Sequence, residues 1–430
     1  MMEKQVYETL GETLFYEKME NGLDVYILPK KGFHKTYATF TTNYGSVDNQ
    51  FVPLGKTEMK RVPDGIAHFL EHKLFEKEDG DVFQQFSKQG ASANAFTTFT
   101  RTAYLFSSTD NVEKNLETLI DFVQTPYFSD KTVEKEKGII GQEIRMYDDN
   151  PDWRVYFGAI ESMYHNHPVK IDIAGTVESI AKITKELLYE CYETFYHPSN
   201  MLLFVVGPVD EQKMMQQIRD NQAKKSFPPA PEVKRFAYEE PSGVAEKKKI
   251  IPMHVQTNKC FVGIKAPSVP KEGGQKLRHE LAFHVLLDYL FGKSSPHYER
   301  LYREGLIDDT FMYDYTEERE FGFALVGGDT RDAERLASEI QTVLLSLDVD
   351  AIKKEEIERV KKKKIGAFLR ALNSPEYIAN QFTRYAFYGA SLFDILPALS
   401  ALTIDEIADV ASACFRDSQL AVCEVVPKQS

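Results

Sequence analysis

A chain of 430 residues with 43% hydrophobic and 27% charged side chains can fill two or more cores, which excludes a disordered polymer. Its formal net charge of −13 argues against a nucleic-acid partner, whose phosphate backbone demands a basic stripe. No stretch approaches the roughly 18 uncharged apolar residues of a membrane span, and the start, Met1-Met2-Glu3-Lys4-Gln5-Val6-Tyr7, lacks a signal peptide's apolar run.

Cys191, Cys260, Cys414 and Cys423 show no C-x-x-C spacing and read as reduced thiols, so the expected location is the cytoplasm. In chain order, the first strands are Leu23–Pro29, which alternates apolar and polar residues, and Lys35–Thr42, rich in β-branched and aromatic residues. These two are expected to pair. Pro63-Asp64-Gly65 then precedes apolar residues at Ile66, Phe69, Leu70, Leu74 and Phe75, whose spacing predicts a helix.

That helix carries Ala67-His68-Phe69-Leu70-Glu71-His72. Residues four apart stack one turn above the other, so His68 and His72 can share a metal, and Glu71 lies beside them. Neutral imidazoles are common zinc ligands, and a carboxylate that is not itself a ligand can take the proton from a metal-bound water. The bland alternative is a core helix that happens to carry two histidines.

H-x-x-E-H is the inverse of the commoner H-E-x-x-H, and through it the chain resembles the pitrilysin, insulin-degrading enzyme and mitochondrial processing peptidase family, the inverzincins. The resemblance implies a third ligand on a later helix, some seventy residues on, preceded seven positions earlier by another glutamate. Glu143 and Glu136 in Val133–Ile144 fit, and two turns of helix place them on nearly one face. Glu143 is then the third ligand, while Glu136 holds a ligand or the substrate in place, unless it is one more solvated charge.

Gly90–Thr97 is similar to the family's G-x-x-x-N-A-x-T, which implies an active-site edge strand to which an extended peptide adds, with Asn94 and Ala95 as substrate contacts. The implied mechanism is hydrolysis by a zinc-dependent endopeptidase: His68, His72 and Glu143 hold Zn²⁺, and Glu71 deprotonates water on it. The substrate would be a peptide or small protein. A non-catalytic scaffold or peptide-binding subunit of the same fold stays open as the alternative.

Further on, Ser107–Asp110 leads into a helix through Leu116, Leu119, Ile120 and Val123 that ends before Pro126. Tyr147–Trp153 breaks the helix of the two glutamates. His165-Asn166-His167-Pro168 offers an H-x-H pair, but its flanks read as a loop without further ligands. Tyr196-His197-Pro198 is a turn before a buried strand, and His197 reads as structural.

Proline-rich Ser226–Pro231 and the charge cluster Glu246–Lys249 mark a linker over 226–250, between an N-terminal zinc-binding domain at 1–225 and a C-terminal domain at 251–430. The second half repeats the order of the first: a strand at Lys259–Ile264, a helix through Leu281 to Leu290, strands near Thr310–Tyr315 and Phe321–Val326, and helices from Asp332 and Ala351. Set in register, it places His284, Leu287 and Asp288 opposite His68, Glu71 and His72, and Val360 and Ala367 opposite Glu136 and Glu143. The expected fold class is therefore α+β, two related α/β-sandwich domains from an internal duplication whose second copy is degenerate.

One departure from the family pattern bears on partners. Members that complete a peptidase site carry an R-x-x-x-x-x-x-Y pair in the second half, and in register with Gly305-Leu306 those positions here are Leu301 and Asp308. Arg300 and Arg303 have no tyrosine seven residues on. The resemblance therefore implies a related subunit supplying the Arg/Tyr pair, making a heterodimer the first expectation and a homodimer the second.

Overall fold

The computed structural model describes residues 2–78, 80–230 and 232–428; Met1 and Pro231, which belong to the N-terminal and proline-rich readings above, lie outside them. The chain forms two compact units, each discontinuous in sequence. The first comprises Met1–Ile144, Asp172–Ala237 and Ala371–Phe387, and the second Arg145–Ile171, Tyr238–Arg370 and Tyr388–Ser430. The α+β class expected from the sequence is what the chain adopts.

In the first unit, strands β1 (Glu3–Tyr7), β2 (Glu12–Lys18), β3 (Asp24–Pro29), β4 (Thr36–Thr42), β5 (Ala91–Thr97), β6 (Thr102–Ser108) and β7 (Met201–Gly207) form one sheet in the order β1-β2-β3-β7-β4-β6-β5. Helix α1 (Ile66–Leu74) packs on edge strand β5, and α2 (Val112–Gln124) packs on β6 and β4. Leu116, Leu119, Ile120 and Val123 are buried along α2, as their spacing predicts. Helix α3 (Asp130–Asp148) follows.

The expected pairing of the first two strands is not made. Strand β7 lies between them, parallel to β3 and antiparallel to β4. All seven residues of β7 are buried, and a strand with no polar face is stable only where both faces are covered, so it takes the centre of the sheet.

The second unit repeats the plan with β8 (Lys248–Met253), β9 (Asn258–Lys265), β10 (Met312–Glu317), β11 (Gly322–Thr330) and β12 (Leu420–Pro427), in the order β8-β12-β9-β11-β10. Its helix α4 (Pro151–Met163) comes from the N-terminal half of the sequence and lies across β12, β9 and β8. Gly158 permits that approach: a Cβ there would meet Cys423 Sγ at 2.6 Å and Ile251 Cδ1 at 2.8 Å. Helix α5 (Gly273–Phe291) packs on edge strand β10, as α1 does on β5, and α6 (Lys354–Ala371) stands where α3 does in sequence order. Helix α7 (Pro375–Ala386), from the C-terminal half, in turn packs on β7 and β4 of the first unit.

The His165–His167 segment has a structural use. The Glu240 carboxylate accepts the backbone N–H groups of His165, Asn166 and His167 at 2.7–2.8 Å, and His167 Nδ1 accepts the Val169 N–H at 3.1 Å. Opposite, the buried Lys265 ammonium donates to Glu240 Oε1 at 2.6 Å, Pro241 O at 2.7 Å and Gly243 O at 2.9 Å. Burial lowers the Lys265 pKa and would raise that of Glu240, but the lysine and the three N–H donors hold Glu240 below the usual carboxylate range. Lys265→Met leaves a half-buried carboxylate without its cation, so we expect a loss of about 3 kcal/mol in urea unfolding; under ~1 kcal/mol would show the pair to be dispensable.

Candidate metal centre

Helix α1 forms because Ile66, Ala67, Phe69, Leu70 and Leu74 are buried at helical spacing. Gly65 at its N-terminus has φ +88°, and an added Cβ would meet Ala174 O at 2.3 Å, so the entry turn needs glycine. This anchoring fixes which face of α1 is turned inward. Glu71 and Lys73 are buried with the apolar residues. Lys73 is fully buried and paired with Glu76.

His68 and His72 lie one turn apart with ring centroids at 4.6 Å. Helix α3 brings up two carboxylates separated by about 10.5 Å of helix. Glu143 faces both imidazoles: its oxygens are 3.8 Å from His68 Nε2 and 3.7 Å from His72 Nε2. Glu136, buried, meets the other nitrogen of His72, Nδ1, at 3.0 Å. His72 is thus oriented from one side so that its Nε2 faces Glu143. On the third side β5 contributes Thr97, whose Oγ1 donates to Glu71 Oε2 at 2.7 Å.

The electrostatics separate the two imidazoles. Burial, with His72 close by, takes His68 down to about 3, so its ring is neutral with a lone pair to offer. Burial pulls His72 down too, but the Glu136 hydrogen bond and the charges of Glu71, Glu136 and Glu143 outweigh it and raise its pKa. Glu136 is lowered, its hydrogen bond to His72 overcoming burial. Burial raises Glu71 to about 6, against the opposing pull of Thr97 and His72.

These residues fit a zinc ion. Among the described residues, His68, His72 and Glu143 are the one His/Cys/Asp/Glu group whose donor atoms all lie within 4.8 Å of one another. A tetrahedral zinc with bonds of about 2.0–2.1 Å sets its ligand atoms roughly 3.3 Å apart, close to the 3.7 and 3.8 Å seen here. His68 Nδ1 is buried without a hydrogen-bond partner, so no hydrogen bond from that nitrogen stabilises a protonated ring.

Asn94 and Ala95 lie on β5, which pairs with β6 and ends the sheet. Asn94 is exposed, and its Oδ1 accepts the Ala95 N–H at 2.9 Å. Thr97 is the contact that sequence reasoning passed over. Its signal was the two-residue period of a strand, which puts Thr97 on the face of Ala95 and opposite Asn94.

The second unit holds no matching set among its described residues. Asp288, opposite His72 in the internal register, is buried and accepts from Lys363 Nζ at 2.8 and 3.0 Å, with Lys364 Nζ at 3.4 Å. Two ammonium groups of α6 thus neutralise it. His284 Nε2 is 3.7 Å from Glu280. At the positions of the missing Arg/Tyr pair Leu301 is buried and Asp308 exposed, while Arg300 is bound to Glu339 at 2.7 Å and Arg303 to Glu299.

Comparison with known proteins identifies relatives of this chain. Residues 51–177 match the profile described as "Insulinase (Peptidase family M16)", and residues 182–364 match "Peptidase M16 inactive domain". The chain is 65% identical to "Uncharacterized zinc protease YmfH" of Bacillus subtilis over 98% of both chains, and 27% identical to a second zinc protease of that organism, YmxG, over 72% of this chain and 75% of the relative. Among solved structures, an M16-like peptidase from Alicyclobacillus acidocaldarius superposes with a TM-score of 0.93 at 40% identity, covering 99% of each chain. A Helicobacter pylori protease, 20% identical, shares the fold with a TM-score of 0.83 over 99% of this chain and 100% of its own. With two profile matches spanning most of the sequence and a relative 65% identical over 98% of both chains, the chain belongs to the insulinase family of peptidases, M16.

Proposed function

We propose that this protein is a zinc-dependent endopeptidase in which His68, His72 and Glu143 hold the ion and Glu71 is the catalytic base. The observation that carries the reading is Glu71 itself, a buried carboxylate tethered through one oxygen to Thr97 beside a three-donor group. A scaffold has no need of a base there. When bound, zinc would polarise the scissile carbonyl and lower the pKa of water at its open position.

The residues of this chain do the rest. Glu71 takes a proton from the attacking water and returns it to the leaving amine. Oε2 is engaged with Thr97, which leaves Oε1 for that transfer. Glu136 holds the His72 ring by Nδ1. An extended peptide adds to the edge of β5, where Asn94 and Ala95 meet its main chain.

Leu301 and Asp308 favour a second, narrower reading, in which this chain carries the zinc and a related subunit completes the site. Loss of an oxyanion donor costs about 10²–10³ in turnover. The four cysteines are free and buried, which supports a reducing, cytoplasmic setting. No helix among the described residues is long and apolar enough to cross a membrane.

The test is mass spectrometry of an unstructured peptide mixture after incubation with the zinc-loaded chain alone. We expect new cleavage products that a chelator abolishes. Zinc bound with no cleavage would sink the self-sufficient enzyme and leave the partner-dependent or purely peptide-binding account.

A further inference from the structure

We infer that Thr97 is the positioning residue of the catalytic base, holding the Glu71 carboxylate in a single orientation from a rigid threonine row across three strands. The inference rests on the endopeptidase reading for its kinetic consequence, but the tether itself is a matter of geometry. Thr97 on β5, Thr102 on β6 and Thr42 on β4 are successive cross-strand partners. Thr102 and Thr42 are fully buried, and each hydroxyl has its own acceptor: Thr102 Oγ1 donates to Tyr44 O at 2.9 Å and Thr42 Oγ1 to Phe195 O at 2.6 Å.

Thr102 Oγ1 also comes within 3.4 Å of Thr97 Oγ1, packing it from the inner side. The Thr97 proton is directed outward, to Glu71 Oε2. The donor is therefore fixed by its neighbours before the base arrives.

The turn that follows is equally constrained. Thr98 N–H donates to Arg101 O at 2.8 Å, and Ser46 and Val47 N–H donate to Thr98 O and Phe99 O at 3.0 and 2.9 Å. Gly45 lies so close under this turn that a Cβ would meet Thr100 N at 2.4 Å. Thr97 thus stands between a sheet and a clamped turn, with no freedom to follow a drifting carboxylate. A group placed on such an element is held far more tightly than one that relies on its own rotamer.

Glutamate has three side-chain torsions, and α1 fixes none beyond the first. Without the tether the carboxylate samples orientations that point neither oxygen at the attacking water, and misplacement by about 1 Å costs on the order of 10²-fold. Valine is nearly isosteric with threonine and lacks the hydroxyl, whereas serine keeps it.

The test compares Thr97→Val and Thr97→Ser with the unaltered, zinc-loaded chain. For Thr97→Val we expect kcat to fall by about 10- to 100-fold with KM, zinc content and Tm unchanged, and for Thr97→Ser recovery to within about threefold. A valine variant within twofold of the parent, or a serine variant that falls with it, overturns the assignment. Crystal structures of the zinc-loaded variants decide the same point if the parent cleaves nothing: the Glu71 carboxylate must leave its place in Thr97→Val and keep it in Thr97→Ser. An unmoved carboxylate in the valine variant refutes the role; an inactive parent refutes only the endopeptidase reading.

Discussion

Glu71→Gln is expected to bind zinc as the parent chain does and to lose peptide cleavage by about 10²- to 10⁴-fold, the range that positioned acid–base groups contribute. The amide preserves the shape of the side chain, and its carbonyl oxygen can still accept from Thr97 Oγ1, which now lies at 2.7 Å from Oε2. What it cannot do is take a proton. Burial already raises Glu71 to about 6, so the carboxylate combines an ionised form at neutral pH with enough basicity to accept a proton from water. The experiment is single-turnover cleavage of a defined peptide together with zinc quantitation on the same sample. Full turnover in the amide variant would remove Glu71 from the mechanism, and loss of zinc in it would show that Glu71 is a ligand.

His72→Ala is expected to abolish tight zinc binding, with Glu143→Ala close behind and Glu136→Gln much milder. Apparent binding free energies for structural zinc are about 10–16 kcal/mol, so removing one of three protein ligands costs roughly a third, ~4 kcal/mol, or about a thousandfold in affinity. Glu136 touches His72 only through Nδ1, at 3.0 Å, and losing such a supporting contact costs on the order of 10- to 100-fold. Competition against a chromophoric chelator would rank the three variants. Equal affinities for His72→Ala and the parent would discard the proposed ligand set, while a Glu136→Gln loss as large as that of His72→Ala would make Glu136 a ligand.

The Lys265–Glu240 pair and the α1 site illustrate two uses of buried charge. In the second unit the carboxylate is surrounded by three N–H donors and an ammonium, every charge is matched, and the Tyr238–Gly243 stretch is tied down. In the first unit Glu71 has one hydroxyl donor, feels the charge of one imidazole, His72, and is buried, and its pKa rises instead of falling. Matched charge stabilises; incompletely matched charge is left able to exchange a proton.

Sequence by itself determined what depends on local periodicity. The 3.6-residue turn aligned His68, Glu71 and His72 on α1, and the same period set Glu136 and Glu143 on one side of α3, because each relation involves residues within two turns of one helix. The α+β class and the internal duplication were readable for the same reason, from the order of strand and helix patterns. Tertiary structure alone decided relations between distant segments. It placed fully apolar β7 between β3 and β4, gave α4 to the second sheet and α7 to the first, and split the roles of the two carboxylates between Nδ1 and Nε2 of His72. It also brought Thr97 to Glu71 across 26 residues of chain, and Glu240 to Lys265 across 25. No local pattern encodes such pairings, since they arise from which buried faces find each other once the elements exist.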